Sequence, residues 1–582
     1  MGKYRCKLFI TLILLIVILI LPPVAPGAFS MEDIWKTQGT EGDGLDKIAS
    51  EVQRELENEE YVEVLVKLTR QVDTGKVSRE AAAAVSAQAE ARQRKEFVRS
   101  RVVEALRKNA ENQQKGLLNY LEAEKNRGSV QELRSYYIVN MVYVKALPEV
   151  IHHISRRPET KVILPNEEVP LVQPQMDEIE TDSCPTVQWN VERVGAPQVW
   201  ETFSNTGSGV VVGMIDTGIE WQHEALKEKW RGFNPDDPLN PNPEFNWYDP
   251  VYGSDMPSDL SAKPHGTHVM GTILGSTTDL FIGIAPGAQW IAANAFKEED
   301  NKVKASSSDL LAAGEYMLAP TDWEGIPYPE KAPDIINNSW GGKAKYDEWF
   351  RPMVQSWRAA QIIPVFAAGN SGPESGTIAN PANYPENIAV GAVDYYNTVA
   401  AFSSRGPGPY PDVVKPDISA PGVSILSSVP GGYSSWSGTS MAVPHITGVA
   451  ALMLSANPSL TVDEVEYILK ETALPLTDEN YSSSPNTAYG YGLVNGIEAV
   501  HELMSAAAEL LLGDVNGDGN IDIADAILIL RDIIGMINIV EQYGPEGFIR
   551  ADVSGDGSLD VGDAILILRY IVGIINEFPA AS

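Results

Sequence analysis

A serine set among small residues, in Ser437-Gly438-Thr439-Ser440-Met441-Ala442-Val443-Pro444-His445, runs straight into the apolar stretch Ile446 to Leu454. That pattern displays the Ser440 hydroxyl at a helix N-terminus, where unpaired N–H groups favour a developing negative charge. Gly438 leaves room for another backbone to approach. A hydroxyl is a poor nucleophile until a base takes its proton. His265, in His265-Gly266-Thr267-His268-Val269, opens a predicted helix and offers an imidazole. Asp216 closes the apolar run Val210 to Ile215 and offers a carboxylate at a strand end. A carboxylate fixes the imidazole tautomer, the imidazole accepts the serine proton, and the serine attacks a carbonyl. Phe366-Ala367-Ala368-Gly369-Asn370 ends another buried strand with an amide able to donate to an oxyanion. Any one of these motifs alone reads as a turn or a cap. Four in one order, each on an element that would display it, point to acyl transfer. His268 and His445 are read as structural residues near the site, and His223 as a loop or cap residue. His152, His153 and His501 are given no role, and no His-Glu-x-x-His zinc signature occurs.

These groups need a rigid frame. Continuous apolar runs at 210–215, 290–295, 334–337, 362–367 and 388–393 read as buried strands. Helices are predicted at 308–318, 347–360, 439–455 and 462–472. Alternation of the two gives an α/β domain with a largely parallel sheet, whose ligands sit beyond the carboxyl ends of the strands.

With those motifs in place, residues 187–504 resemble the catalytic domain of a subtilisin-like serine protease (subtilase). A closer likeness within that family rests on Trp247-Tyr248-Asp249, Asn337-Asn338-Ser339-Trp340-Gly341-Gly342 and Asn380-Pro381-Ala382-Asn383-Tyr384-Pro385. The resemblance implies a triad of Asp216, His265 and Ser440, with Asn370 as oxyanion donor. It also implies that Ser339, Trp340 and Gly341 lend an edge to an extended protein or peptide substrate. Glu224 stands where many relatives have proline, with no expected catalytic consequence. Two rival readings remain: a silent fold carrying the chain into an assembly, and an α/β-hydrolase esterase. The esterase needs Gly-x-Ser-x-Gly and the order Ser, Asp, His, and Ser440 has neither.

Upstream, residues 1–30 combine a basic start (Lys3, Arg5, Lys7) with an apolar run from Leu8 to Leu21, short for a membrane span. They read as a signal peptide, so a secreted, extracellular protein with no stable membrane span is expected. Residues 31–180 are read as a leader and propeptide. Strands are predicted at 61–68, 136–144 and 161–164, and helix over 78–126 and 149–155, a β–α–β–α–β sandwich. Its place and pattern resemble subtilase propeptides, implying a chaperone and inhibitor removed on maturation; an ordinary accessory domain is the alternative. The stretch 170–185 is Pro-rich, acidic and patternless, and reads as a linker open to processing. The catalytic domain is assigned to 181–507.

The tail, 510–582, holds a repeat. Asp514, Asn516, Asp518, Asn520, Asp522 and Asp525 occupy positions one, three, five, seven, nine and twelve of a calcium loop. Asp552, Ser554, Asp556, Ser558, Asp560 and Asp563 repeat it, with Gly519 and Gly557 at the sharp turn. Position twelve is Asp in both, and Pro545-Glu546-Gly547 predicts no helix entering the second loop. Loop then helix, twice, resembles a dockerin, which implies structural Ca2+ and a cohesin domain as partner; a calcium-stabilised tail without a partner is the alternative. The formal charge of −34 over 582 residues repels phosphate backbones, which excludes nucleic acid. Of two cysteines, Cys6 lies in the signal segment, so no internal disulfide is expected with Cys184. The whole reads as an α/β subtilisin-like domain between a small α/β sandwich and a small calcium-loop helical module.

Overall fold

The computed structural model describes residues 44–85, 89–171, 174–176, 186–509 and 511–581. The expected signal segment, both cysteines and residues 177–185 lie outside the described residues.

Alternating residues of β1 (Val62–Leu68) feed two separate cores. Val64, Val66 and Leu68 point into the N-terminal unit, against Leu117 and Leu121 of a long helix and Ile151 and Ile154 of a short one. Leu65 points the other way, into a core shared with the central domain. After β1 come α1 (Thr74–Ala84), α2 (Ala91–Asn126), β2 (Val130–Tyr136), β3 (Met141–Ala146), α3 (Pro148–Ser155) and β4 (Thr160–Pro165). The four strands form an antiparallel sheet in the order β2-β3-β1-β4.

Two expectations are corrected here. The single strand predicted over 136–144 is a hairpin end, with the chain turning at 137–140. That turn carries Ile138 and Val139 buried against the central domain, so it lacks the polar composition that marks most turns. Only Asn140, at φ 43, hints at it. The helix predicted over 78–126 is two helices, α1 and α2.

The central domain holds β7 (Val211–Asp216), β8 (Trp247–Tyr248), α4 (His265–Leu274), β9 (Gln289–Asn294), α5 (Ser307–Leu318), β12 (Ile335–Asn338), α6 (Arg351–Ala359), β13 (Ile363–Ala367), β14 (Ile388–Val393), β15 (Ile418–Pro421) and α7 (Thr439–Ala456). Seven strands make one parallel sheet, β15-β14-β13-β12-β7-β9-β8. Burial on both faces explains their unbroken apolar runs. The helix α7 is apolar enough to cross a membrane, but it is buried in the core, packed against α4 and the sheet.

Two small antiparallel hairpins flank this sheet: β10 (Lys297–Glu299) with β11 (Lys302–Ser306), and β16 (Ile425–Val429) with β17 (Gly432–Ser437). Each takes a third strand from the chain leaving the N-terminal unit: β5 (Glu168–Pro170), just ahead of the expected linker, pairs with β11, and β6 (Gln175–Met176), inside the stretch expected to be patternless, pairs with β17. Backbone groups alone make these ladders, which is why the side-chain pattern was silent.

In the tail, α8 (Ile523–Ile533) and α10 (Val561–Ile571) pack together over Val515, Ile529, Val553 and Ile567. Between them α9 (Ile539–Ala551) contradicts the expectation of no entering helix. Gly544, at φ 72, breaks it, and Pro545 starts the second piece, where a missing N–H costs nothing.

Candidate active site

Asp216 closes β7 and His265 opens α4, and two glycines let these ends meet. A Cβ on Gly266 would lie 2.1 Å from Gly218 O and 3.2 Å from Asp216 Cβ. With hydrogen in place of that carbon, His265 Nδ1 comes within 2.7 Å of Asp216 Oδ1, both side chains being fully buried. Thr217 N donates to the same oxygen at 2.8 Å. An Nδ1–H facing a carboxylate leaves the lone pair on Nε2, which makes no hydrogen bond among the described residues. Ser440 lies in the first turn of α7, and its Oγ donates to Ser339 O at 3.1 Å. Long or diverted hydrogen bonds of this kind are common before a substrate carbonyl is seated.

The other two buried histidines of this region are unsuited to take a proton. Burial pushes His268 down to about 3, its Nε2 facing Ile425 O and Ser434 O and its ring stacked on Trp436. Burial pushes His445 down to about 4, with Nδ1 on Met441 O and Nε2 on Asn190. His223 caps a loop, Nδ1 accepting from Ala225 N.

Asn370 follows β13. Its Oδ1 accepts from Thr439 N at 2.9 Å and Thr439 Oγ1 at 2.8 Å, which sets the NH2 end toward Gly438. Ser339 follows β12 and is tied to Ser440 twice, its Oγ donating to Ser440 O at 3.1 Å. Trp340 is fully buried among Phe296, Phe350 and Phe366, so only its backbone could serve an extended chain. Gly341 packs against Ala379 and Asn380. Asp216, Ser339 and Asn370 thus lie at or just beyond the carboxyl ends of β7, β12 and β13, where the helix starts that carry His265 and Ser440 meet them.

Two features here were not foreseen. The edges that hold an extended backbone, among the described residues, are β11 and β17, and β17 leads directly into Gly438 and Ser440. Pro174 Cα stands 3.7 Å from a Cβ built on Gly438, so Pro174 and β6 lie beside the turn that carries Ser440. Acidic residues at the start of β5 meet lysines: Lys304 Nζ pairs with Glu168, and Lys345 Nζ with Glu167, just before the strand, at 3.1 Å. The second feature is Asp259, whose Oδ2 accepts from Thr267 N at 3.0 Å and Thr267 Oγ1 at 2.8 Å, capping the helix that carries His265. Spacing alone hid it, since no turn motif links Asp259 to Thr267.

Burial lifts the Asp259 carboxyl to about 7, opposed by the Thr267 bonds and reinforced by the Asp216 charge. A raised acid binds its proton more tightly folded than unfolded, so its contribution is full below about pH 4 and lost as pH rises through 7. The melting temperature of wild type relative to Asp259→Asn is therefore expected to fall between pH 5 and pH 8. A pH-independent difference in a thermal melt series would refute this.

The calcium-loop residues form a second candidate site. In the first loop Asp514 accepts from Asp518 N and Gly519 N, and buried Asp525 from Val515 N, Asn516 N and Asp522 N. Asp552 and Asp563 repeat the pattern, on Gly555 N and Gly557 N and on Ser554 N and Asp560 N. Gly519 and Gly557 hold left-handed φ of 86 and 80, as the sharp turn requires. Asp522 and Asp560 cap α8 and α10. Asn516 and Asn520 both bond Asp518, and Ser554 bonds Asp552, while Asp556 accepts from Ser558 N. Among the described residues no group of three acidic or histidine side chains is gathered closely enough to hold an ion. The donor set still suits a hard cation: oxygen ligands only, and burial with the Asp514 charge raising the Asp525 carboxyl.

A buried carboxylate–imidazole pair and a helix-borne serine, at the carboxyl edge of a parallel sheet, make the arrangement of a serine peptidase. The chain belongs to the subtilase family. The family profile matches residues 207–492, and a dockerin type I domain matches residues 512–572. Bacillopeptidase F of Bacillus subtilis (strain 168) is 46% identical over 471 residues, 78% of this chain. The match spans only 32% of that protein's length. M-protease of Shouchella clausii (strain KSM-K16) is 32% identical over 356 residues, 60% of this chain and 80% of that protein. Subtilisin E of Bacillus subtilis (strain 168) is 34% identical over 326 residues, 55% of this chain and 72% of that protein.

Proposed function

We propose that the chain is a secreted serine endopeptidase made as a zymogen, with Ser440 as nucleophile. Ser440 Oγ attacks the peptide carbonyl carbon as its proton passes to His265 Nε2. Asp216 holds the Nδ1–H tautomer and stabilises the imidazolium. The Asn370 amide donates to the oxyanion. Collapse of the tetrahedral species releases the amine with the proton from His265, and water then cleaves the acyl-enzyme by the same steps reversed. The 2.7 Å Asp216–His265 contact carries this reading. Ser339, Trp340 and Gly341 would extend the substrate edge that β11 begins.

On this reading residues 1–30 direct secretion, 31–180 form the inhibitory propeptide, 181–507 the enzyme and 510–582 a docking module. Pairing of β5 with β11 and of β6 with β17, with Pro174 beside Gly438, supports the inhibitory role. The test is reaction of calcium-incubated protein with a sulfonyl fluoride, followed by peptide mapping. A single adduct on Ser440, with parallel loss of casein hydrolysis, is expected; a labelled protein still fully active would sink the assignment.

The two tail loops are proposed to bind Ca2+ and to present a cohesin-binding face. Each copy exposes the same apolar positions: Ile523, Ile527, Leu530 and Ile534 in one, Val561, Ile565, Leu568 and Val572 in the other. Chelation of the full chain should raise amide exchange throughout 511–581 while leaving 186–500 largely protected, because the tail has its own small core. Exchange in the tail that ignores chelation would remove calcium from its fold.

A further inference from the structure

The chain leaving β4 runs Asn166-Glu167-Glu168-Val169-Pro170-Leu171 and lies along one continuous edge of the central domain. Its backbone is held at both ends of that edge. Glu167 O accepts from Ser307 N at 2.9 Å and Ser307 Oγ at 3.0 Å, and Leu171 N donates to Val303 O at 3.0 Å. Side chains alternate as a strand requires. Val169 and Leu171 are buried in the core to which Val303, Ala305 and Trp340 belong, while Glu168 and Pro170 are exposed. Main-chain ladders are indifferent to most side chains, so selection falls on what the side chains meet.

Two lysines from separate elements meet the acidic pair. Lys304, on β11, pairs with Glu168, and Lys345, in the connection beyond Gly341, pairs with Glu167 at 3.1 Å. Each is steadied by a carboxylate of the central domain itself. Glu299 Oε2 stands 2.9 Å from Lys304 Nζ, and Asp347 Oδ2 stands 3.0 Å from Lys345 Nζ. An ammonium has three donors, so one fixed partner leaves others to offer. Glu168 and Glu299 together hold the Lys304 ammonium well above its ordinary range. Lys263 and Lys302 line the same open hollow of about 330 Å³, with Lys304, Glu168, Pro170 and Leu171. The acidic residues of the β10–β11 hairpin have their own work: Glu298 accepts from Ala262 N at 2.7 Å, Glu299 is shared by Lys297 and Lys304, and Asp300 is exposed at the turn. In a chain with 78 acidic and 44 basic side chains, lysines gathered along one edge run against the general charge.

We propose that Lys304 and Lys345 form a specificity site for carboxylates in a strand laid on β11, so that the enzyme favours substrates with two acidic residues just ahead of an apolar–x–apolar step. That is the pattern Glu167 to Leu171 presents. The proposal rests on the endopeptidase reading above, in which β5 and β6 mark the path of a substrate. Pro174, beside Gly438, places β5 on the amino side of the bond to be cut.

The test gives calcium-incubated full-length protein three quenched peptides that differ in one pair of residues. Glu-Glu, Gln-Gln or Lys-Lys precedes Val-Ala-Leu and a common casein-derived sequence. The kcat/KM for Glu-Glu is expected to exceed that for Gln-Gln about tenfold, a factor of roughly three from each partly exposed ion pair. Lys-Lys should be poorer still. Lys304→Gln and Lys345→Gln should each bring the Glu-Glu to Gln-Gln ratio to about three, and the double change to about one. In 1 M salt, where charges are screened over about 3 Å, the wild-type ratio should also approach one. Equal rates on Glu-Glu and Gln-Gln, or a preference that neither lysine change moves, would overturn the proposal, while cleavage of Gln-Gln leaves the endopeptidase reading standing. If no peptide and no casein is cut, that reading falls, and hydrogen exchange in the uncut Ser440→Ala chain decides whether Lys304 recognises the strand. Amides of Val169, Leu171 and Ala305 should exchange about threefold faster in Glu168→Gln and in Lys304→Gln, and no faster when both are changed. Additive effects would mean that the two side chains do not recognise each other.

Discussion

Replacing Ser440 with alanine is expected to lower casein hydrolysis roughly a millionfold, the scale seen when a serine peptidase loses its nucleophile. The substitution removes one oxygen from the first turn of α7 and touches little else. Ser339 O loses a donor, while the reciprocal bond from Ser339 Oγ to Ser440 O uses the main chain and survives. Folding should therefore be kept, and the loss should fall on turnover alone. The same variant should retain its full mass on incubation with calcium while wild type loses about residues 30 to 180. Intact mass and N-terminal sequencing of the two proteins side by side would read this directly. A Ser440→Ala chain that shortens in pure form would assign the cut to another protease.

Asp216→Asn is expected to reduce kcat about ten-thousandfold with little change in KM. In wild type Oδ1 accepts from both Thr217 N and His265 Nδ1. Asparagine preserves shape but turns one end into a donor. An NH2 facing Nδ1 would reverse the tautomer, placing the proton on Nε2 and leaving the ring unable to accept from Ser440. Because the pair is fully buried, water cannot substitute for the lost acceptor. Steady-state kinetics check the split: a rise in KM at unchanged kcat would mean that Asp216 serves binding rather than proton transfer.

Most of the parallel sheet could be read from the chain because its strands are buried on both faces and spell themselves out as apolar runs. The positions of Asp216 and Asn370 followed, since one ends such a strand and the other comes just after one, while His265 and Ser440 stand at the starts of apolar helices. Three things escaped, each for a physical reason. The turn at 137–140 is apolar because it packs on another domain. Strands β5, β6, β11 and β17 are held by main-chain hydrogen bonds, to which side-chain alternation is blind. Arg99 sits in a long charged helix that reads as solvent-facing, yet it is buried on the carbonyls of Ala332, Pro333 and Ala360, which no residue code distinguishes. Asp259 shows the same limit, since its bond to Thr267 depends on how the loop before α4 folds back.

Strands β5 and β6 are covalently joined to the strands they pair with. A tethered occupant of this kind acts as a ligand at millimolar effective concentration, whatever the protein's own dilution. An extended chain arriving from solution with micromolar affinity meets it on unequal terms, and dilution does not help. Once the tether is cut, the same contacts become bimolecular and do weaken on dilution. Secretion into a large volume would then itself act as a signal, converting a closed cleft into an open one with no change in any contact.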